Sequence, residues 1–218
     1  MKVLNLYAGI GGNRKLWTDV EVTAVELNPE IAKIYQYFFP DDAVIIGDAL
    51  EYLRKHRNEF EFIWGSPPCQ KHSRMMKATR HDVADFIDLQ LYQLIIFLDN
   101  FYNGFYVVEN VVPYYKPLIE PSIKIGRHLY WSNFKITPFN EPKFPNLINA
   151  TTAKAAEEMK IFYGLNYNGS IYTLGNHHPT TALRNCVHPE TGLHILNCAL
   201  NKEKIIQKTI FDSMNESN

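Results

Sequence analysis

Short apolar runs, each closed by a glycine, proline or acidic residue and followed by a stretch of helical spacing, recur along the first half of the chain. The first run, residues 3–7, breaks at Ala8-Gly9-Ile10-Gly11-Gly12 and resumes as a helical pattern over 13–17. The second, 22–25, ends in Glu26, and Pro29 suits the first turn of a helix over 30–39. The third, 43–46, closes at Gly47-Asp48-Ala49 before a helix over 50–55. The fourth, 60–64, cannot continue past Pro67-Pro68, which have fixed φ and no amide hydrogen. Apolar residues at Phe86, Leu89, Leu94, Phe97 and Leu98 predict a helix over 85–101 with one face on the sheet, and a fifth run over 105–108 leads to Glu109-Asn110. Strands alternating with helices predict an α/β fold with a doubly wound, mostly parallel sheet.

The second half is less regular. Residues 124–131, aromatic and β-branched, predict a further strand. Pro138, Pro142 and Pro145 with several asparagines mark a loop or linker, and a helix is expected over 152–163. Residues 163–178 read as loop or turn-linked short strands, 183–195 and 196–211 return to strand and helix character, and 215–218 form a frayed tail.

Parallel strands deliver the residues after them to one rim of the sheet, where open α/β folds place ligands. Cys69 follows the fourth run on a rigid proline turn, as a nucleophile would, although a buried cysteine beside a solvated loop has the same sequence. From Lys71 to His81 the cations Lys71, Arg74, Lys77 and Arg80 occur without an acid, a field expected to lower a thiol's pKa and attract a polyanion. Glu109, reaching the same rim, makes an acid and thiol pair with Cys69, or is a surface glutamate at a loop start. The glycine turn lets backbone amides approach a ligand or is only a tight connection. Glu26 suits ribose hydroxyls or a helix start, and Asp48 suits an adenine amino group or a helix N-cap.

Composition narrows the class without naming a substrate. With 46% hydrophobic and 21% charged residues in 218, the chain holds one sizeable core and is not disordered. A net charge of −1 leaves nucleic-acid contact to local patches such as the run after Cys69. Three cysteines at spacings unlike a metal site suggest a reducing cytoplasm and no metal, and no apolar run approaches membrane-spanning length.

Taken together, Ala8-Gly9-Ile10-Gly11-Gly12, Glu26, Asp48, Pro67-Pro68-Cys69-Gln70 and Glu109-Asn110-Val111, in this order, resemble the cytosine-5 DNA methyltransferase family. The resemblance spans about residues 3–134, and Arg184-Asn185-Cys186-Val187-His188-Pro189 looks like the family's last motif. It implies a Rossmann-like fold that binds S-adenosyl-L-methionine. Tyr7, Ala8, Gly9, Ile10, Gly11 and Gly12 would border its methionine and adenosine moieties, Glu26 and Leu27 the ribose, and Asp48 and Ala49 the adenine. Pro68, Asn185 and Val187 would lie beside the cofactor. Cys69 would add to C6 of a flipped cytosine, Glu109 would bond its N3 and amine, and Lys71, Ser73, Arg74, Lys77 and Arg80 would face double-stranded DNA. The implied protein is a cytoplasmic monomer, with 1–134 and 183–218 as catalytic domain and 135–182 as a reduced target-recognition region.

The chain departs from the family's pattern in several places. Asn5 stands where an acid is usual and His72 where an aromatic is usual, and the strand that carries a glutamine and two arginines is here Lys124-Ile125-Gly126-Arg127-His128. Successive strand side chains face opposite ways, so only one of Arg127 and His128 is expected to face the base, and Arg127 is the candidate. A relative acting on cytosine in RNA, and a non-catalytic methyltransferase-like subunit, are the competing readings.

Overall fold

The apolar runs of the first half become parallel strands β1 (Lys2–Leu6), β2 (Glu21–Glu26), β3 (Ala43–Ile46), β4 (Phe62–Gly65) and β5 (Phe105–Val111) in the computed structural model. The structure describes residues 1–69, 72, 86–147, 149–169, 171, 178 and 180–200. Two further strands, β6 (Ile123–Ile125) and β7 (His128–Ser132), complete one sheet in the order β3-β2-β1-β4-β5-β7-β6, with β7 antiparallel to both neighbours. The helices are α1 (Pro29–Phe38), α2 (Ala49–His56), α3 (Gln90–Phe101), α4 (Ala153–Tyr163), α5 (Thr181–Arg184) and α6 (Pro189–Leu200). None of them is long and apolar enough to cross a membrane.

Both faces of the sheet are covered, which is why its central strands read as unbroken apolar runs. Leu4, Leu6, Ile63 and Val108 pack with Leu53 of α2 and Leu91, Leu94, Ile95 and Leu98 of α3. Their neighbours along the strands, Val3, Phe62, Trp64 and Val107, turn to the other face and pack with Trp17 and with Ile195, Leu196 and Ala199 of α6. A third cluster joins Ala156, Met159 and Tyr163 of α4 to Ile10, Ile34 and Leu183, so the middle region rests on the glycine loop and α1. Asn28 caps α1 through bonds from the Glu30 and Ile31 amides, Asp48 caps α2 and Thr152 caps α4.

Four expectations change. Residues 13–17 form no helix: the chain makes successive tight turns (Arg14 N to Gly11 O, 3.1 Å; Trp17 N to Arg14 O, 3.0 Å), and the Asn13 amide is tied to Asn5 of β1 at 2.9 Å. Residues 124–131 are not one strand but a hairpin turning at Gly126 and Arg127, where Gly126 takes a left-handed φ of 56° that favours glycine. Residues 183–195 contribute helix and no strand. Finally, Glu109 lies inside β5, not after it, because pairing with β7 prolongs the strand to Val111.

Helix α6 docks on the end of the glycine loop through a close backbone approach. A Cβ built on Gly192 would lie 2.1 Å from the Asn13 carbonyl oxygen and 2.8 Å from its Cα, and backbone on both sides leaves little room to yield. Gly192→Ala is therefore expected to destabilise the protein by about 1–3 kcal/mol in urea denaturation. An unchanged midpoint would contradict this packing.

Candidate active site

The carboxyl ends of β1, β2, β4 and β5 open on one cleft of about 830 Å³. One end is built from the first three strands. Tyr7 leaves β1 with a positive φ of 55°, and the loop after it places Ala8, Gly9, Ile10 and Gly12 on the cleft wall. Glu26 at the end of β2 accepts the Gly9 amide on Oε2 and the Asn28 amide on Oε1, both at 2.9 Å, so its carboxylate joins the glycine loop to the start of α1. It is thus more than a helix-start charge. Asp48 lines the cleft and also caps α2, accepting the Glu51 amide on Oδ1 at 2.7 Å, so the two readings of this residue are compatible. Leu27, 70% exposed, forms the rim, and Ala49, Asn185 and Val187 complete this end. Gly11 alone of the loop candidates does not line the cleft, since it packs against the Phe39 and Tyr35 rings.

The other end carries the reactive groups. The buried Asn110 side chain donates to the Pro67 carbonyl at 2.9 Å and accepts the Val111 amide at 2.9 Å, fastening the proline turn to β5. Beyond the turn, the His72 amide donates to the Cys69 carbonyl at 3.0 Å, and the buried His72 ring meets the Tyr115 hydroxyl at 2.6 Å. Pro68 and Cys69 are thereby presented to the cleft from both sides. The expected lowering of the thiol's pKa is not seen: burial, and then the nearby Glu109 carboxylate, push the Cys69 thiol up, while Arg127 opposes them. The cationic run behind that expectation, Lys71, Ser73, Arg74, Lys77 and Arg80, lies outside the described residues.

Glu109 is only 6% exposed, which removes the surface-glutamate reading. Burial raises its carboxyl from the ordinary 4.5 to about 7, against a hydrogen bond from Ser66 and the charge of Arg127, with Glu141 adding to the rise. Ser66 also accepts the Trp64 indole N–H at 2.9 Å, which holds its hydroxyl beside Glu109. Both Arg127 and His128 line the cleft, because Arg127 sits in the hairpin turn, where strand alternation does not apply. Arg127 donates to the Arg184 carbonyl, and His128 Nε2 lies 3.3 Å from Glu109 Oε1.

The sequence motifs point to neither Ser66 nor Asn28. His128 enters the sequence reading only as the alternative to Arg127, two places beyond a glycine in a presumed strand. Among the described residues, no group of three or more His, Cys, Asp or Glu is arranged to hold a metal ion.

A family model described as C-5 cytosine-specific DNA methylase matches residues 1–113. Among solved structures, the DNMT2 of Spodoptera frugiperda is 28% identical over 50% of this chain and 35% of that one, with a TM-score of 0.37, so the chain spans about a third of that protein. The Entamoeba histolytica methyltransferase EhMeth is 12% identical over 93% of this chain and 99% of that one, with a TM-score of 0.54, a likeness of fold. An S-adenosylmethionine-dependent methyltransferase of Agrobacterium tumefaciens is 19% identical over 53% and 40% of the two chains, with a TM-score of 0.38. No curated protein matches the chain.

Proposed function

Because the chain belongs to the C-5 cytosine-specific DNA methylase family, whose model spans residues 1–113, we propose that it methylates C5 of cytosine in DNA through a covalent bond from Cys69. The observation that carries this reading is the shared cleft: a thiol and a buried carboxyl at one end, and a glycine loop with two strand-end carboxylates at the other. Its volume is that of a pocket for a ligand of cofactor size. The donor set also suits S-adenosylmethionine, since Glu26 can accept ribose hydroxyls, Asp48 can accept an adenine amino group, and backbone amides border both. The cofactor supplies an electrophilic methyl group.

The protein's own groups would do the rest. C5 of cytosine is a poor nucleophile until another group adds to C6, and a sulfur anion both adds and later leaves. Cys69 would form the S–C6 bond as its thiolate, with Arg127 the described cation that favours that anion. A carboxyl with a pKa of about 7 can hold a proton at neutral pH, so Glu109 would hydrogen-bond N3 as charge develops on the ring. Once C5 is methylated, loss of its proton returns the electron pair to the ring and expels Cys69. This chemistry cannot occur within a stacked duplex, so the base must be flipped into the cleft. Residues 135–182 would read the target, and Lys71, Arg74, Lys77 and Arg80 would lie on phosphates.

Bisulfite sequencing of plasmid from cells expressing the protein tests the proposal, with unconverted cytosines expected at one short recurring sequence. Protected cytosines in RNA alone would favour the RNA reading, and none in either a non-catalytic one. For the basic run, replacing Lys71, Arg74, Lys77 and Arg80 with Gln should flatten the salt dependence of log K for DNA by up to about 0.9 per lost phosphate contact. An unaltered slope removes those residues from the interface.

At the cofactor end, Glu26→Ala should weaken S-adenosylmethionine binding by about 1.5–3 kcal/mol, or roughly ten- to a hundredfold in Kd. Calorimetric titration checks this. Unchanged affinity in a folded variant would leave Glu26 only its bonds to the Gly9 and Asn28 amides.

A further inference from the structure

The sheet register sets an unexpected neighbour beside Glu109. In the antiparallel pairing of β5 and β7, Glu109 lies opposite Tyr130 and Val111 lies opposite His128. Glu109 and His128 are therefore diagonal neighbours, and period-two alternation turns both to one face, within reach of long side chains. Their side chains are 7% and 4% exposed, and His128 Nε2 lies 3.3 Å from Glu109 Oε1. Among the described residues, His128 Nδ1 is buried with no hydrogen-bond partner. Arg127, the cation nearest in sequence, has its guanidinium bonded to the Arg184 carbonyl.

We infer that His128 is a positioning residue for Glu109: its Nε2–H donates to Glu109 Oε1 and holds the carboxyl in place, leaving Oε2 to meet the substrate base. The meaning of the contact for catalysis rests on the methyl transfer proposed above, but the contact itself does not. Burial, and then the charge of Arg127, disfavour the imidazolium form, so the ring carries one proton. With that proton on Nδ1, a buried N–H would have no acceptor and two lone pairs would face each other across the 3.3 Å contact unless Glu109 supplied the proton. With it on Nε2 the contact sets a donor against an acceptor, and only an acceptor at Nδ1 is left over. Seated on a central strand pair, the imidazole offers one fixed donor, where an arginine would bring charge into a site that already holds Arg127. Among the described residues, the charged and titratable groups around Glu109 besides His128 are Arg127 from the hairpin turn, Tyr130 on β7, Cys69 after β4, and Glu141.

Two readouts test the inference without any enzymatic assay. In the wild-type protein near neutral pH, a long-range ¹H–¹⁵N spectrum of the His128 ring should show a protonated Nε2 and a bare Nδ1. The opposite tautomer, or a doubly protonated ring, overturns the inference. Second, a ¹³C titration of Glu109 compares His128→Gln, whose amide nitrogen reaches the place of Nε2, with His128→Asn, whose amide reaches only the place of Nδ1. Loss of a donor to the carboxylate disfavours its charged form, so the Asn variant should raise the Glu109 midpoint by about one pH unit, while the Gln variant stays near wild type. A midpoint that is unmoved or falls in the Asn variant, or that rises equally in both, overturns the inference. Should the Asn variant not fold, the wild-type tautomer decides. An active protein with the wrong tautomer would sink this role alone, whereas the expected tautomer in a protein that methylates nothing would leave the contact standing and remove its catalytic meaning.

Discussion

Cys69→Ser is expected to lower methyl transfer by roughly four orders of magnitude or more while S-adenosylmethionine binding stays within about twofold of wild type. A serine hydroxyl is rarely ionised at neutral pH, and an alkoxide is a poorer leaving group than a thiolate, so both addition to C6 and the final expulsion suffer. The cofactor end of the cleft is held independently, by the Glu26 bonds to the Gly9 and Asn28 amides and by the Asp48 cap on α2. Radiolabelled methyl transfer measures the first effect and calorimetry the second. Retained turnover would move the nucleophile elsewhere, and lost cofactor affinity would show that the two ends of the cleft are not separate.

Glu109→Gln is expected to separate activity from stability. Methyl transfer should fall by about 10²- to 10⁴-fold, because an amide can hydrogen-bond N3 but cannot pass a proton to it. Stability should move the other way. The folded carboxyl titrates near 7 and the free one at 4.5, so between these values the folded state holds a proton that the unfolded state has released. Stability therefore falls as pH rises through that window and stays lower above it. A neutral Gln does not carry this penalty, and its carbonyl can still accept bonds where the carboxylate did. The variant should melt higher than wild type above pH 7, by an amount on the order of 1–3 kcal/mol, with the gain shrinking toward pH 4.5. Equal melting of the two proteins at pH 8 would show that the buried carboxyl is not strained by ionisation.

The strands of the first half were legible because the central ones are buried on both faces and each run is closed by a glycine, proline or acidic residue. That is how Glu26, Asp48 and Cys69 could be assigned to one rim before any contact was known: parallel strands bring their ends together whatever the side chains do. What stayed hidden depended on distant partners. The helical pattern over 13–17 failed because Asn13 is held by Asn5 and packed against Gly192, contacts that periodicity cannot register. Glu109 looked like a loop residue because the strand that prolongs β5 is antiparallel and arrives later in the chain, after another turn. His128 ranked second to Arg127 for a local reason that is present in the sequence. Gly126 is a turn signal inside an aromatic run, and reading it as one moves Arg127 out of the strand and makes His128 the first residue of β7.

Covalent capture tests the central claim most directly. A DNA duplex in which cytosine carries fluorine at C5 has no C5 proton to lose, so after methylation the S–C6 bond cannot be broken by elimination. Incubated with S-adenosylmethionine and such a duplex containing the recognised sequence, the protein should become bound to DNA, and peptide mass spectrometry should find the nucleotide on Cys69. Absence of an adduct with DNA that bisulfite sequencing shows to be a substrate, or an adduct on Cys186 or Cys198 instead, would contradict the account.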